Sequence, residues 1–332
     1  MNTLTDLLEQ TAQKYPDKTY LALQDKSVTF KEISEKSRRL ADAFSQRGIT
    51  KGKCVAIVLR NSPEFVITYF ALVRLGAIAV PINFLVQKSH ELEYMLKDCG
   101  ALGIVTQKEF LKNLKPVQKT LPSLKYIWCT DGPADGAEDF WTFLNSSPPT
   151  PFAAPSRSSG TIGASERRDE LRVPAGAPEG PSVLAPHPSP LATSEDVTCI
   201  LYTSGTTGSP KGVMLTHANL VSNCRSSLQA LSISPKDVFL CILPMFHTFA
   251  WTACVLIPAS LGCKVVVVPS VTPAKPWLNL MAKHGVTIFA AVPPIYSVLA
   301  KEAAGFKRFV LKYYFFRKVR FGVSGASPLS VE

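Results

Sequence analysis

Residues 200–217 read "ILYTSGTTGSPKGVMLTH", a loop rich in glycine and hydroxyl side chains, with one lysine, set between two apolar runs. Glycines tolerate positive φ and let successive backbone N–H groups point into one concavity, a nest that suits phosphate oxygens. Gly205 and Gly208 would shape the nest, the hydroxyls of Thr203, Ser204, Thr206 and Thr207 would donate to the same anion or bind Mg²⁺, and Lys211 adds a compact positive charge. A Walker-type loop needs Gly-Lys-Ser/Thr, but Lys211 stands between Pro210 and Gly212, which disfavours ordinary P-loop kinases and GTPases. A flexible turn between two strands would explain Gly-Thr-Thr-Gly alone; it does not explain the lysine.

Outward from this loop the chain alternates strand and helix signals. After Asp196 come the strand "VTCILY", the loop, "GVMLTH", a helix over "ANLVSNCRSSLQAL", the strand "DVFLCIL", a helix after Phe249 and the strand "CKVVVV". The alternation continues through "PWLNLMAKHG", "VTIFAA", "PPIYSVLAKEA" and "VRFGV". Residues 1–130 behave alike: "VTFKEISEKSRRLADAFSQRG" is an amphipathic helix stopped by Gly48, "KCVAIVL" a buried strand, and "SPEFVITYFALVRLG" a helix with Ser62 as N-cap, Pro63 at its first position and Gly76 as its stop. Such alternation predicts an α/β fold of two αβ subdomains, 1–130 and 196–332, each with a mostly parallel sheet flanked by helices. Between them, residues 131–195 hold eleven of the 26 prolines and little apolar periodicity, and read as a disordered connector or an insertion.

The chain has 332 residues, 46% of them hydrophobic, enough for a large core. Its first residues, "MNTLTDLLEQTAQKYPDKTY", lack the apolar core of a secretory signal, so a cytoplasmic location is expected. The eight cysteines form no CxxC pair and read as core residues rather than a zinc site or disulfide framework. "FAWTACVLIPASLGCKVVVV", 249–268, is interrupted by Pro258, Gly262 and Lys264, and divides into helix, turn and strand rather than spanning a membrane. From Asp196 onward thirteen Lys and Arg face four acids, a balance of +9 that would attract a polyanion. With no zinc-finger spacing, aromatic RNP-like strand or basic recognition helix, nucleotide phosphates fit this field better than nucleic acid.

At this point "YTSGTTGSPKGVMLTH" resembles the phosphate-binding signature of the adenylate-forming superfamily of acyl- and aryl-CoA synthetases, luciferases and peptide-synthetase adenylation domains. Two further segments match in order: "LPMFHTFAW" resembles the motif whose histidine borders the acyl pocket, and "FGVSGASPLS" the turn against the adenine and acyl chain. "LRNSPEFVITYFALVRLGAIAVPIN" and "AVPPIYSVLAK" look most like long-chain fatty acid CoA ligases. The resemblance implies ATP-dependent activation of a fatty acid to an acyl-adenylate and then acyl-CoA, with ATP, Mg²⁺ and coenzyme A as cofactors or co-substrates. It implies that Thr203, Ser204, Gly205, Thr206, Thr207, Gly208 and Lys211 hold the ATP phosphates and that Thr203 lies near the Mg²⁺. It further implies that His247 borders the acyl and adenylate pocket, and that Ser324, Gly325, Ala326, Ser327 and Pro328 face adenine and acyl chain. Many relatives carry Gly-Ala where this chain has Ala326 and Ser327, a change that would either narrow the acyl tunnel or leave it unaltered.

In the family, more strands, a Mg²⁺-binding glutamate, a ribose-binding aspartate and a mobile C-terminal lid domain with the adenylation lysine follow the last matched turn. None has a counterpart up to Glu332, so the 332 residues alone are expected to have negligible ligase activity. Two other readings stay open: a weakly binding, non-enzymatic remnant, and an adenylating ligase for aryl or other acids. Residues 301–320, "KEAAGFKRFVLKYYFFRKVR", mix seven basic residues with six aromatics. Their aromatics are expected to enter the core and their charges to face solvent, the alternative being peripheral contact with the inner face of a membrane, or with CoA phosphates.

Overall fold

The computed structural model describes residues 2–86, 88–147, 192–203, 210–303 and 306–327. The chain opens with α1 (Leu4–Lys14), the hairpin β1 (Thr19–Leu23) and β2 (Lys26–Thr29), then α2 (Phe30–Gln46), β3 (Cys54–Val58), α3 (Pro63–Arg74) and β4 (Ile78–Pro81). It continues through α4 (Ser89–Asp98), β5 (Ala101–Thr106), α5 (Lys108–Thr120) and β6 (Tyr126–Cys129). Thr29 and Glu32 form a reciprocal capping box at the start of α2, while Ser62 caps α3 with Pro63 at its first position, as the sequence predicts. All five residues of β3 are buried, as expected of a parallel strand covered on both faces.

Residues 138–145 depart from the expected connector: they form β7 (Glu138–Asp139) and α6 (Phe140–Asn145). The Asp139 side chain accepts from the Thr142 N–H at 2.7 Å, and Phe140, Phe143 and Leu144 fall at helical spacing and are buried. Phe143 stacks on Trp128 of β6 with centroids 4.9 Å apart. Within the expected connector, residues 148–191 lie outside the described residues.

After it come β8 (Val197–Thr203), β9 (Lys211–Thr216), α7 (His217–Ala230), β10 (Val238–Cys241), α8 (Thr248–Trp251), a π-helical turn over Thr252–Leu256, α9 (Ile257–Leu261) and β11 (Lys264–Val267). Gly262, at φ 78°, ends α9; a Cβ there would come 2.4 Å from the Tyr15 ring. The last elements are α10 (Ala274–His284), β12 (Ile288–Ala291), α11 (Pro293–Glu302), α12 (Phe306–Val310), a π-helical turn over Leu311–Phe315, and β13 (Phe321–Ser324). Among the described residues no helix is long and apolar enough to cross a membrane.

The strands build two sheets, in the orders β7-β6-β5-β3-β4-β8-β9 and β13-β12-β10-β11-β1-β2. Every pairing is parallel except the hairpins β1–β2 and β8–β9. The sheets do not follow the two halves of the sequence. β1 of the first half pairs with β11 (Leu21 opposite Val265), and β8 of the second half pairs with β4 (Ala79 opposite Cys199). One core cluster joins α1, α2 and α3 to α7 and the helix after Phe249, reaching Val55 and Ile57 of one sheet and Val265 and Val267 of the other. His217 ties the halves by a polar contact: its Nδ1 accepts the Leu4 N–H at 3.0 Å.

The segment 306–316 is a second departure. Phe315 and Phe316 are half-buried, Phe316 lying edge-on to Phe289 at 5.6 Å, but Phe309, Tyr313 and Tyr314 stand in solvent. The π-helical turn advances the chain more slowly than an α-helix, so the aromatics do not share one inward face.

Candidate functional site

β8 and β9 run antiparallel, and their register places Thr203 directly opposite Lys211. A hydroxyl and an ammonium thus stand side by side, both exposed, at the mouth of the loop. Ser204, Gly205, Thr206, Thr207 and Gly208 lie outside the described residues. Behind the mouth, the Tyr202 hydroxyl donates to Asp98 Oδ2 at 2.6 Å and lies 3.0 Å from the Met95 carbonyl, tying β8 to α4. Burial, and then the Asp98 carboxylate, push this phenol well above its ordinary pKa, so it stays a donor.

A cavity of about 550 Å³ opens beside Thr203. Its walls come from the end of β4 (Pro81, Ile82), from Met95 and Glu91 of α4, from Tyr202, Thr203 and Pro210, and from the turn Phe246–Thr248. Apolar groups dominate, and Glu91, 3.3 Å from Lys88, is the one carboxylate on the described wall. Each contributing loop leaves the carboxyl end of a parallel strand, where open α/β sheets place their ligands.

His247 is the N-cap of α8, and its exposed ring lines the cavity. Nδ1 accepts the Phe249 N–H at 3.3 Å, which leaves the proton of the neutral ring on Nε2 as a donor for a bound oxygen. Ser324, Gly325, Ala326 and Ser327 do not line this cavity. Gly325 packs against Phe249 instead: a Cβ there would come 2.8 Å from that ring, so only glycine lets the turn approach so closely. Ala326 holds φ at 67°, a left-handed conformation that glycine adopts without strain and alanine does not. Pro328 lies outside the described residues.

The sequence reading missed Asn61, which follows β3 and is buried. Its Nδ2 donates to the Leu243 carbonyl at 2.8 Å and the Val268 carbonyl at 3.0 Å, while Oδ1 accepts the Met245 N–H at 2.7 Å. One side chain therefore fastens the ends of β10 and β11 to the first sheet and fixes the turn that carries His247. A polar residue between a buried strand and an N-cap that already has its serine was the available signal.

The described residues hold no cluster of three or more His, Cys, Asp or Glu able to bind a metal by themselves. A hydroxyl such as that of Thr203 suits Mg²⁺ held chiefly by substrate phosphates, since that ion keeps most of its shell as water and phosphate oxygen.

The chain matches the AMP-binding enzyme family over residues 8–332. It is 30% identical over 345 residues to a long-chain-fatty-acid–CoA ligase of Bacillus subtilis (strain 168), covering 99% of this chain and 56% of that protein. It is 31% identical over 308 residues to 4-coumarate–CoA ligase 1 of Oryza sativa subsp. japonica, covering 91% and 48%. Its fold is similar to the crystal structure of the anthranilate CoA ligase AuaEII in complex with anthranoyl-AMP, with a TM-score of 0.78, 26% identity, and 98% of this chain and 55% of that one covered. The chain spans about half the length of the curated relatives it matches. On the motif order, the strand-end cavity and this match together, the chain belongs to the AMP-binding enzyme family.

Proposed function

We propose that the protein carrying this chain activates a long-chain fatty acid with ATP and passes the acyl group to coenzyme A. The observation that carries the reading is the convergence of the Thr203–Lys211 mouth and His247 on one largely apolar cavity at the strand ends. In the first step a carboxylate oxygen attacks the α-phosphorus of ATP, the bond to the bridging oxygen breaks, and pyrophosphate leaves. In the second the CoA thiol attacks the acyl carbon, loses its proton and expels AMP. Neither step needs a protein nucleophile, so the side chains work by position and charge. Lys211 and the loop amides counter the charge on the phosphates, and the His247 Nε2–H donates to an oxygen of the acid or its adenylate. The Thr203 hydroxyl together with the substrate phosphates would hold Mg²⁺, which would supply neutralising charge. The apolar wall from Ile82, Met95 and Phe246 would shelter an acyl chain.

An aryl acid is the second reading, favoured by the 31% identity to a 4-coumarate–CoA ligase. ATP–pyrophosphate exchange by the complete protein, run with palmitate, 4-coumarate and anthranilate, separates the two. Exchange with palmitate is expected; exchange with the aromatic acids alone would overturn the fatty-acid assignment, and none with any acid would overturn acid activation.

A further inference from the structure

Residues 308–318 combine two properties that soluble surfaces keep apart. Phe309, Tyr313 and Tyr314 are 61%, 61% and 55% exposed, and the first two rings stack at 6.0 Å. Several exposed cations elsewhere have a carboxylate partner, Arg47 in Glu138, Arg60 in Glu109 and Lys115 in Asp135. Here no carboxylate occurs in the sequence from 303 to 327, and Arg308, Lys312 and Arg317 have no acidic partner among the described residues. Lys312 instead sits 5.0 Å over the Tyr313 ring.

Beside the rings, a cavity of about 480 Å³ lies between the end of α10 and Tyr314, with Lys283 and Arg317 on its wall. Lys318 reaches over Gly285 at the end of α10. Burial, then the neighbouring cations Lys264 and Lys283, hold His284 below its ordinary pKa, with only the exposed Asp25 opposing them. The carbonyl end of α10 accounts for Lys283 and His284 as favourable helix-end charges; it does not account for Arg308, Lys312 or Arg317.

We propose that residues 308–318 and the end of α10 form a docking surface for an anionic phospholipid bilayer. The aromatic rings enter the headgroup region while Arg308, Lys312 and Arg317 meet lipid phosphates, beside Lys283, whose ammonium holds the exposed Asp25 carboxylate at 2.9 Å. Amphipathic rings prefer that depth, and basic residues near an anionic surface add binding free energy. A free phosphate would engage the cations and leave the rings without a role. A protein partner would have to desolvate several unpaired cations, which costs more than it returns unless each meets a carboxylate. The surface stands apart from acid activation, and its test does not use turnover.

The full chain should co-sediment with phosphatidylcholine vesicles containing phosphatidylglycerol, not with phosphatidylcholine alone, and salt should release it. Arg308→Gln, Lys312→Gln and Arg317→Gln should each weaken the partition about fivefold, and Phe309→Ser with Tyr313→Ser at least tenfold. All five side chains are exposed, so the variants should fold, and ATP binding measured in parallel should not change. Equal binding to both vesicle types, binding indifferent to the substitutions, or no binding would overturn the proposal. Release by inorganic phosphate at matched ionic strength would assign the groove to a soluble phosphate ligand and overturn it too.

Discussion

Asn61 shows how one side chain can organise a site it does not touch. Replacing it with alanine leaves the Met245 N–H and the Leu243 carbonyl unpaired in a buried place, a loss of about 3 kcal/mol. Asn61→Asp keeps the acceptor for Met245 but sets a carboxylate against two carbonyl oxygens, so it should cost at least as much; denaturant midpoints of the two variants check both. His217 makes a second residue-scale case. Burial lowers its pKa to about 4, against the pull of Asp196 and Asp6. The unfolded chain therefore binds more protons between pH 6.5 and 4, and stability, fully present above that window, falls as pH drops through it by up to about 3 kcal/mol. In His217→Gln this part of the pH dependence should vanish, and an unaltered slope of the unfolding free energy against pH would refute the assignment. That Thr203 and Lys211 flank one loop was legible in the sequence because it is local. The role of Asn61 was not, since its partner Leu243 lies 182 residues away.

Among the elements, helix caps and buried strands were readable because their signals sit within a few residues of each other. α6 was hidden for the opposite reason: a short helix with its own aspartate cap and three buried apolar residues precedes a proline-rich stretch, and composition averaged over both conceals it. Phe140 is fully buried in the core that unites the two sheets. Phe140→Ala should thus destabilise the protein by about 3–5 kcal/mol. Thermal unfolding that shifts by no more than a surface substitution would return α6 to the connector.

For the whole molecule, the sequence read as two consecutive α/β units, and each does alternate strand and helix. Which strand joins which sheet depends on contacts between residues far apart, and no local pattern records them. Because β1, paired with β2 on one side, takes β11 on the other, and β4 takes β8 as its outer neighbour, neither half owns a complete sheet. Residues 1–130 made alone should lack a cooperative thermal transition, having exposed one side of β4 and stranded the β1–β2 hairpin. A sharp transition in that fragment would contradict the shared core.

The interleaving also has a consequence for biosynthesis. Leu21 and its neighbour Val265 are separated by 244 residues of chain (265 − 21). At about 5–20 residues per second, the first hairpin emerges from the ribosome roughly 12 to 50 s before its partner strand exists. Throughout that interval the apolar Tyr20 and Leu21, fully buried in the finished protein, have no sheet to join. Until β11 is translated, the hairpin exposes apolar surface that the finished sheet buries, and the nascent chain is at its most prone to aggregate.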